Sequence, residues 1–467
     1  MSAGADPLGI AREALAGTEV WLVGGAVRDR LLGRCGARPD LDLAVAGDVE
    51  AAARALARAA RAPVFPLSEA FGAWRVVNAR DGWQADLAPL AGETIEQDLA
   101  QRDFTVNAIA EPLAGGPPLD PTGGREDLAA RRLRMVGPSA FAADPLRVLR
   151  VARFACELGF ATEPATVAAA REAATRLADV APERSFAELR QIVAAPDPVA
   201  GMRLLEQLGA TAVVLPELHA LTGVEQSRYH HLDVLEHTLA VLAETVALER
   251  DPAAALGAEH APAIAALLAE PLSDELTRAT ALRLGALFHD VAKPQTRGVT
   301  GEGRITFFGH DAAGAEVARA VLGRLHTSER LRAHVAALAR HHLRLGFLVR
   351  ERPLSRRQEH AYMRACEPVE VDVTLLSVAD RLATRGRKAE EAIANHLEVA
   401  RALIGPALAW RANGPPAPLI RGDELADALG IERGPRLGEL LAELEAATYA
   451  GEISTREQAI THARSKL

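Results

Sequence analysis

Apolar positions recur along the chain in two rhythms, and the change between them falls near Gly137. Before it, short apolar runs alternate with helix-like stretches. Glu19–Val23 (EVWLV) reads as a strand running into Gly24-Gly25, and AVRDRLLG after it reads as a helix. Leu41–Val45 (LDLAV) is a second strand, Val49–Ala62 an alanine-rich helix, and Trp74–Asn78 with Trp83–Leu87 a strand pair around the turn Asp81-Gly82. Together these predict a small mixed sheet with flanking helices. From Pro138 onward the spacing is helical, with i, i+3, i+4 patterns over Asp144–Gly159, Ala165–Ala178 and Pro182–Ala194. A further helical region starts near Gly223 and holds most of the histidines, and its stretch Arg250–Ser273 reads as a surface insertion. A Gly414–Pro418 linker precedes a helical tail. The expected organisation is a head (1–137), a helical neck (138–222), a histidine-rich helical domain (223–400) and a tail (401–467).

Composition changes this picture little. With 467 residues and 49% apolar residues the chain can bury several cores. The formal charge of −9 excludes a uniformly basic nucleic-acid coat but not a local basic surface. Ten arginines between Arg324 and Arg364 face three acids, and seven between Arg125 and Arg153 face three; both stretches are candidate phosphate contacts, or solvated helix faces in an arginine-biased chain. Cys35, Cys156 and Cys366 lie far apart, so neither a disulfide framework nor a cysteine zinc site is indicated. No signal peptide and no apolar run of membrane length is apparent, and the expected location is the cytoplasm. Nothing here sets the oligomeric state.

The candidate chemistry begins with Asp40 and Asp42 in RPDLDLAV. Strand residues two apart share a face, so both carboxylates project together while Leu41 and Leu43 enter the core. Two such charges repel unless a divalent cation lies between them. A lone Asp-x-Asp also fits a solvated strand edge. Upstream, however, Gly24-Gly25-Ala26-Val27-Arg28 forms a strand–diglycine–helix junction where a phosphate can approach the backbone and Arg28 can add charge-assisted hydrogen bonds.

LVGGAVRDRLLG, then DLD, RDFTVNAIA and DPLRVLRVARFA, in that order, resemble the class II tRNA nucleotidyltransferase and bacterial poly(A) polymerase family. The resemblance implies an α+β fold: a polymerase-β-like head with a small mixed sheet, followed by an all-helical neck, a helical bundle and a helical tail. It implies that Asp40 and Asp42 hold catalytic Mg²⁺, with Asp86 a possible third carboxylate, and that Gly24, Gly25 and Arg28 meet the incoming triphosphate. Arg102, Asp103 and Asn107 match a ribose-recognising motif. Asp103 and Asn107 share a face if that segment is helical, and Asp103 as a helix cap is an equally sound reading. The family usually has two arginines before this aspartate; the first is Gln101 here.

Asp144 and Arg147, at i, i+3, set acceptors beside donors, which complements the edges of cytosine and adenine but not of guanine or uracil. An exposed intrahelical ion pair is the alternative. Arg150 and Arg153 continue that face as candidate phosphate or base contacts, and Ala143 stands where the family commonly has Glu. The implied activity is addition of C and A to a tRNA 3′ end from CTP and ATP. CC addition and poly(A) synthesis are the rivals, the first favoured by the short segment between Asp86 and Arg102, where CCA-adding members often carry a longer flexible loop.

In the second half, His237, His289-Asp290 and Asp380 match in order the primary metal ligands of HD-domain phosphohydrolases. His310 and either His341 or His342 are candidates for a second position, and a divalent transition metal is the expected ion. Phosphohydrolase chemistry in this module is thus an alternative function of another class. The tail resembles the segment of these enzymes where tRNA contact is expected.

Overall fold

The computed structural model of the chain describes residues 6–34, 40–68, 72–226, 232–386 and 388–467. It contains two compact units, Met1–Val180 with Gln207–Val213, and Ala181–Glu206 with Val214–Leu467.

The first unit is built on six strands: β1 (Val20–Val23), β2 (Asp40–Val45), β3 (Val64–Ser68), β4 (Ala73–Asn78), β5 (Trp83–Pro89) and β6 (Ala110–Pro112), in the order β3-β4-β5-β2-β1-β6. Only β2 and β5 run parallel, so the sheet is mixed, as the alternating pattern indicates. The two edge strands escape the pattern for physical reasons. Val64–Ser68 carries Pro66 and leaves Phe65 and Leu67 in solvent, and Ala110–Pro112 is three residues long. Helix α1 (Gly25–Leu31) leaves the diglycine directly. Helix α2 (Val49–Ala60) starts at Asp48, whose carboxylate accepts from Ala51 N at 2.9 Å, and it buries Ala52, Ala53 and Leu56.

The helix expected over Asp144–Gly159 is shorter. Asp144 ends the turn Ala140–Ala143 in extended geometry (φ −148°, ψ 106°), so α3 runs from Arg147 to Leu158. Ala165–Ala178 divides into an α-helix, Pro164–Ala173, and a 3-10 segment, Ala174–Asp179; Pro182–Ala194 is helical throughout.

The second unit contains α4 (Val234–Arg250), α5 (Arg278–Phe288), α6 (His310–Arg324), α7 (Glu329–His341), α8 (Arg344–Leu348), α9 (Glu370–Ala383) and α10 (Ala389–Asn413). Helix α4 packs on α5 and α9. A buried ion pair between Arg278 Nε and Asp372 (2.9 Å) joins α5 to α9, and Arg278 Nη2 also donates to Pro368 O at 3.0 Å. The stretch Arg250–Ser273 is not a bare surface insertion. It forms the helices Pro252–Leu256 and Ala261–Leu268, and Ile264, Leu267 and Leu268 are buried at i, i+3, i+4. Its Ala, Pro and Glu content conceals that stripe.

Helix α10 runs unbroken past residue 400 with Pro406 inside it. After it, α11 (Pro435–Ala450) and the helices Gly422–Leu429 and Arg456–Arg464 bury a core of Leu425, Leu437, Leu440, Leu444 and Ile453. No helix among the described residues is long and apolar enough to cross a membrane.

Candidate functional sites

In the first unit, the parallel register sets Asp42 of β2 opposite Asp86 of β5, with Asp40 two residues back on the same face. Leu41 and Leu43 are buried behind them. Burial first, then the charges of Asp40 and Asp86, raise the Asp42 carboxyl to about 6, against the opposing pull of Arg102 and Arg28. A carboxylate with that preference for positive charge fits a cation. Asp86 is held by Arg75 on β4 in a bidentate pair (2.6 and 2.7 Å), while Asp40 accepts from Gln84 at 3.2 Å. Three carboxylates thus face together with one of them already neutralised.

Gly24 adopts φ +69°, and a Cβ there would stand 3.2 Å from both Asp42 Oδ2 and Arg102 Nη1. The backbone conformation favours glycine here, and a side chain would also crowd the carboxylate and guanidinium packed against it. Gly25 begins α1, and its nearest side-chain atom is Arg28 Nη2. Arg28 is 5% exposed; its Nη1 donates to Asn107 Oδ1 at 2.8 Å and its Nε to Asp29 Oδ1 at 2.8 Å.

Asp103 and Asn107 meet, though no α-helix carries them. Asn107 ends a 3-10 turn, Thr105–Asn107, and its Nδ2 donates to Asp103 Oδ1 at 3.0 Å. The same oxygen accepts from Phe104 N at 2.7 Å, and Asp103 Oδ2 accepts from Arg150 Nε at 2.8 Å. Burial alone would raise this carboxyl; Arg150 and the Asn107 amide hold it below the usual carboxylate range. Phe154 lies under three guanidinium groups, those of Arg28 (5.0 Å), Arg150 (5.1 Å) and Arg153 (4.4 Å from the ring centre). Its edge meets Phe104 at 5.7 Å.

Asp144 accepts from Leu146 N at 3.1 Å. Arg147 donates to the carbonyls of Arg102 and Ala140 (both 3.1 Å) and of Gln101 (2.8 Å). Arg102 is paired with Asp98 through Nε (3.0 Å) and Nη2 (2.9 Å). Gln101, in place of an arginine, turns back onto the carbonyl of Ala91.

Sequence reasoning missed Asp127, which is fully buried and accepts from Thr105 Oγ1 at 2.6 Å and Arg134 Nε at 2.8 Å, and which also pairs with Arg132. The arginine-rich stretch 125–153 is consequently far less cationic than its tally. Arg132 and Arg134 hold Asp127, Arg150 holds Asp103, and Arg153 lies 3.4 Å from Glu157.

The second unit gathers a different chemistry. His237, His289 and Asp380 bring ligand atoms within 4.8 Å of one another, and so do Asp290, His310 and His342. The buried His342 joins this group; His341 faces Arg344 instead, accepting at Nδ1 from its Nε at 2.9 Å. The imidazoles of His289, His310 and His342 each set Nδ1 on the carbonyl three residues earlier, Ala286 (2.8 Å), Phe307 (2.7 Å) and Ala339 (2.7 Å). This places the proton on Nδ1 and leaves the Nε2 lone pair directed inward. His289 Nε2 is buried 3.1 Å from Asp290 Oδ2, yet it has no hydrogen-bond partner. Close, misaligned donor atoms around a common centre fit a metal ion. Burial, then the positive neighbours, lower His342 to about 4, so it is neutral at pH 7. Asp290 reaches toward both groups, with Oδ2 3.1 Å from His289 Nε2 and Oδ1 3.3 Å from His310 Nε2, and Oδ2 also pairs with Lys293 Nζ at 2.6 Å.

Three family models match the chain: "Poly A polymerase head domain" over residues 20–134, "Probable RNA and SrmB- binding site of polymerase A" over 159–222, and "HD domain" over 234–385. An A-adding tRNA nucleotidyltransferase of Deinococcus radiodurans is 38% identical over 445 residues, covering 94% of this chain and 93% of the relative. A CC-adding tRNA nucleotidyltransferase of Thermus thermophilus is 37% identical over 450 residues, covering 94% and 91%. A solved structure of a CCA-adding enzyme with ATP superposes with a TM-score of 0.66 at 19% identity, covering 99% of this chain and 96% of that one.

Proposed function

Because the chain belongs to the tRNA nucleotidyltransferase and poly(A) polymerase family with an appended HD domain, we propose that it adds cytidines to the 3′ end of tRNA from CTP. The observation that carries nucleotidyl transfer is the in-register carboxylate group Asp40, Asp42 and Asp86, with Asp42 raised to about 6. Mg²⁺ held by Asp40 and Asp42 would supply activation of the tRNA 3′-hydroxyl and charge stabilisation on the departing pyrophosphate.

The protein's own groups do the rest. Gly24 and Gly25 leave room for phosphate oxygens beside Arg28 and Arg102. The Asp103–Asn107–Arg150 lattice presents a fixed carboxylate and amide to the ribose hydroxyls. Asp144 and Arg147 read the base edge, which requires Arg147 to exchange its three carbonyl bonds for the base.

Addition restricted to C, rather than to C and A, is supported by the segment before Arg102. Its backbone is pinned by Asp98 Oδ1 on Ala91 N (3.0 Å) and by Gln97 Oε1 on Glu93 N (2.7 Å), where CCA-adding members often carry a longer flexible loop. The Thermus thermophilus relative, matched over 91% of its length, is moreover named for CC addition. Addition of A alone is the second reading, favoured by the Deinococcus relative.

Transcripts ending before CCA, after C and after CC, each given CTP, ATP or both, test this. Two cytidines on the first, one on the second and none on the third are expected. A added to the CC-ended transcript overturns the C restriction: alone it means an A-adding enzyme, and with C addition a CCA-adding one. A tails on unrelated RNA would mean a poly(A) polymerase.

In the second unit, His237, His289, Asp290 and Asp380, joined by His310 and His342, would hold one or two divalent transition-metal ions for phosphoester hydrolysis. Metal content and phosphodiesterase activity of the purified protein test this module separately.

A further inference from the structure

The HD site opens into a cleft of about 380 Å³ with His342 and Asp380 in its lining. Arg350, Arg381 and Asn395 line it as well. A second cavity of about 490 Å³ shares Val349, Arg350 and Asn395 with the first and adds Arg352. Arg350 therefore stands at the junction of two adjoining spaces, one beside the metal ligands and one beyond.

The cations here differ in their engagement. Arg352 is held by Glu398 at 2.9 Å and by Asn395 O at 3.2 Å. Arg381 donates through Nη2 to Thr384 O at 3.1 Å, while its Nε is buried with no partner. Arg350 is exposed and has no side-chain partner among the described residues. Arg324, Arg352, Arg357 and Arg364 of the same stretch pair with Glu217, Glu398, Glu443 and Glu445, so Arg350, at the mouth of the metal cleft, keeps its guanidinium available to a ligand. Phe347 lies three residues before Arg350 at the end of α8 and is 69% exposed. One turn sets it on the same side as Arg350.

We infer that the two cavities together take the end of a single-stranded polynucleotide. The terminal phosphoester enters the first cavity beside the metal ligands and Arg381. The next phosphate along the strand meets Arg350 at the junction, and a base stacks on Phe347. A mononucleotide occupies the first cavity alone and uses neither Arg350 nor Phe347 fully. An acidic peptide would use the cation but gain little from the aromatic face. The inference rests on the reading of the histidine–aspartate cluster as a phosphoester site.

The test uses the intact chain with metal removed by chelation, and dye-labelled oligoadenylates of one, two and four nucleotides, read by fluorescence anisotropy. The dimer and tetramer are expected to bind about tenfold more tightly than the monomer. Arg350→Met is expected to remove most of that gain without shifting Tm, and Phe347→Ala to remove part of it. Equal affinity at all lengths, an unchanged gain in Arg350→Met, or equal competition by a hexaglutamate peptide would overturn the inference. Failure of the phosphoester reading looks different: no hydrolysis with any divalent metal, while length-dependent binding persists.

Discussion

The two candidate sites gather their charged and metal-ligating groups from opposite materials. The head lines up carboxylates on adjacent strands, and burial, then the charges of Asp40 and Asp86, raise Asp42 to about 6. The HD cluster relies on imidazoles, three of them fixed by carbonyls of their own turn. In the first, the charge is built in and waits for a counter-charge. In the second, the ligands are oriented beforehand and contribute lone pairs, with Asp290 and Asp380 supplying the negative charge. This suits hard magnesium in the first site and a softer transition metal in the second.

The largest expected effect separates the sites outright. Asp42→Asn should lower nucleotide addition by about a thousandfold or more, the several kcal/mol a metal contributes to such a transition state. Bound transition metal, measured by mass spectrometry, should stay constant. The reciprocal change, His289→Ala, should empty the HD cluster while tRNA extension stays within about twofold. If either variant damages both sites, the contrast drawn above is false.

Next in size is Arg150→Met, which strands the buried Asp103 carboxylate. A loss of about 3 kcal/mol is expected, read as a lowered denaturation midpoint. An unchanged midpoint would mean that Asn107 and Phe104 N suffice for Asp103.

The Asp42 shift carries a sign. Its folded pKa lies above the unfolded value, so the native state binds the proton more tightly between about pH 4 and 6. Stability from this group is present at low pH and lost as pH rises through 6, about 3 kcal/mol. The metal-free protein should therefore lose stability over that window, Asp42→Asn should not, and Mg²⁺ should restore it to the wild type only. The smallest effect is expected of Phe154→Leu, about 1 kcal/mol in stability. A few-fold rise in KM for CTP should accompany it as three guanidiniums lose their common ring face.

Much of the candidate chemistry was legible because it is local. Asp40 and Asp42 share a face by strand geometry, and the order of His237, His289-Asp290 and Asp380 survives in the linear sequence. The unread parts depend on contacts made by distant residues. Nothing in GREDLA indicates that Asp127 is the buried anchor of Arg132 and Arg134, and the arginine tally of that stretch overstated its charge because Asp103 and Glu157, outside it, engage Arg150 and Arg153. The choice of His342 over His341 is a matter of which neighbour enters the core. The start of α3 moved to Arg147 because Asp144 holds an extended backbone, which apolar spacing cannot reveal. Strands β3 and β6 were hidden by a proline and by brevity.

Helix α10 carries residues of the metal cleft near its start and Trp410 near its end, where the indole meets Tyr449 of α11 at 5.8 Å and His360 at 5.6 Å. Arg357 clamps Glu443 and Glu452 alongside. A cut at residue 400 would split this rod between its two packing partners. The seam along which one tail can be exchanged for another, by recombination or in the laboratory, therefore lies after Asn413, where glycine and proline end the helix. Chimaeras joined there should keep an intact HD cleft; those joined at 400 should not.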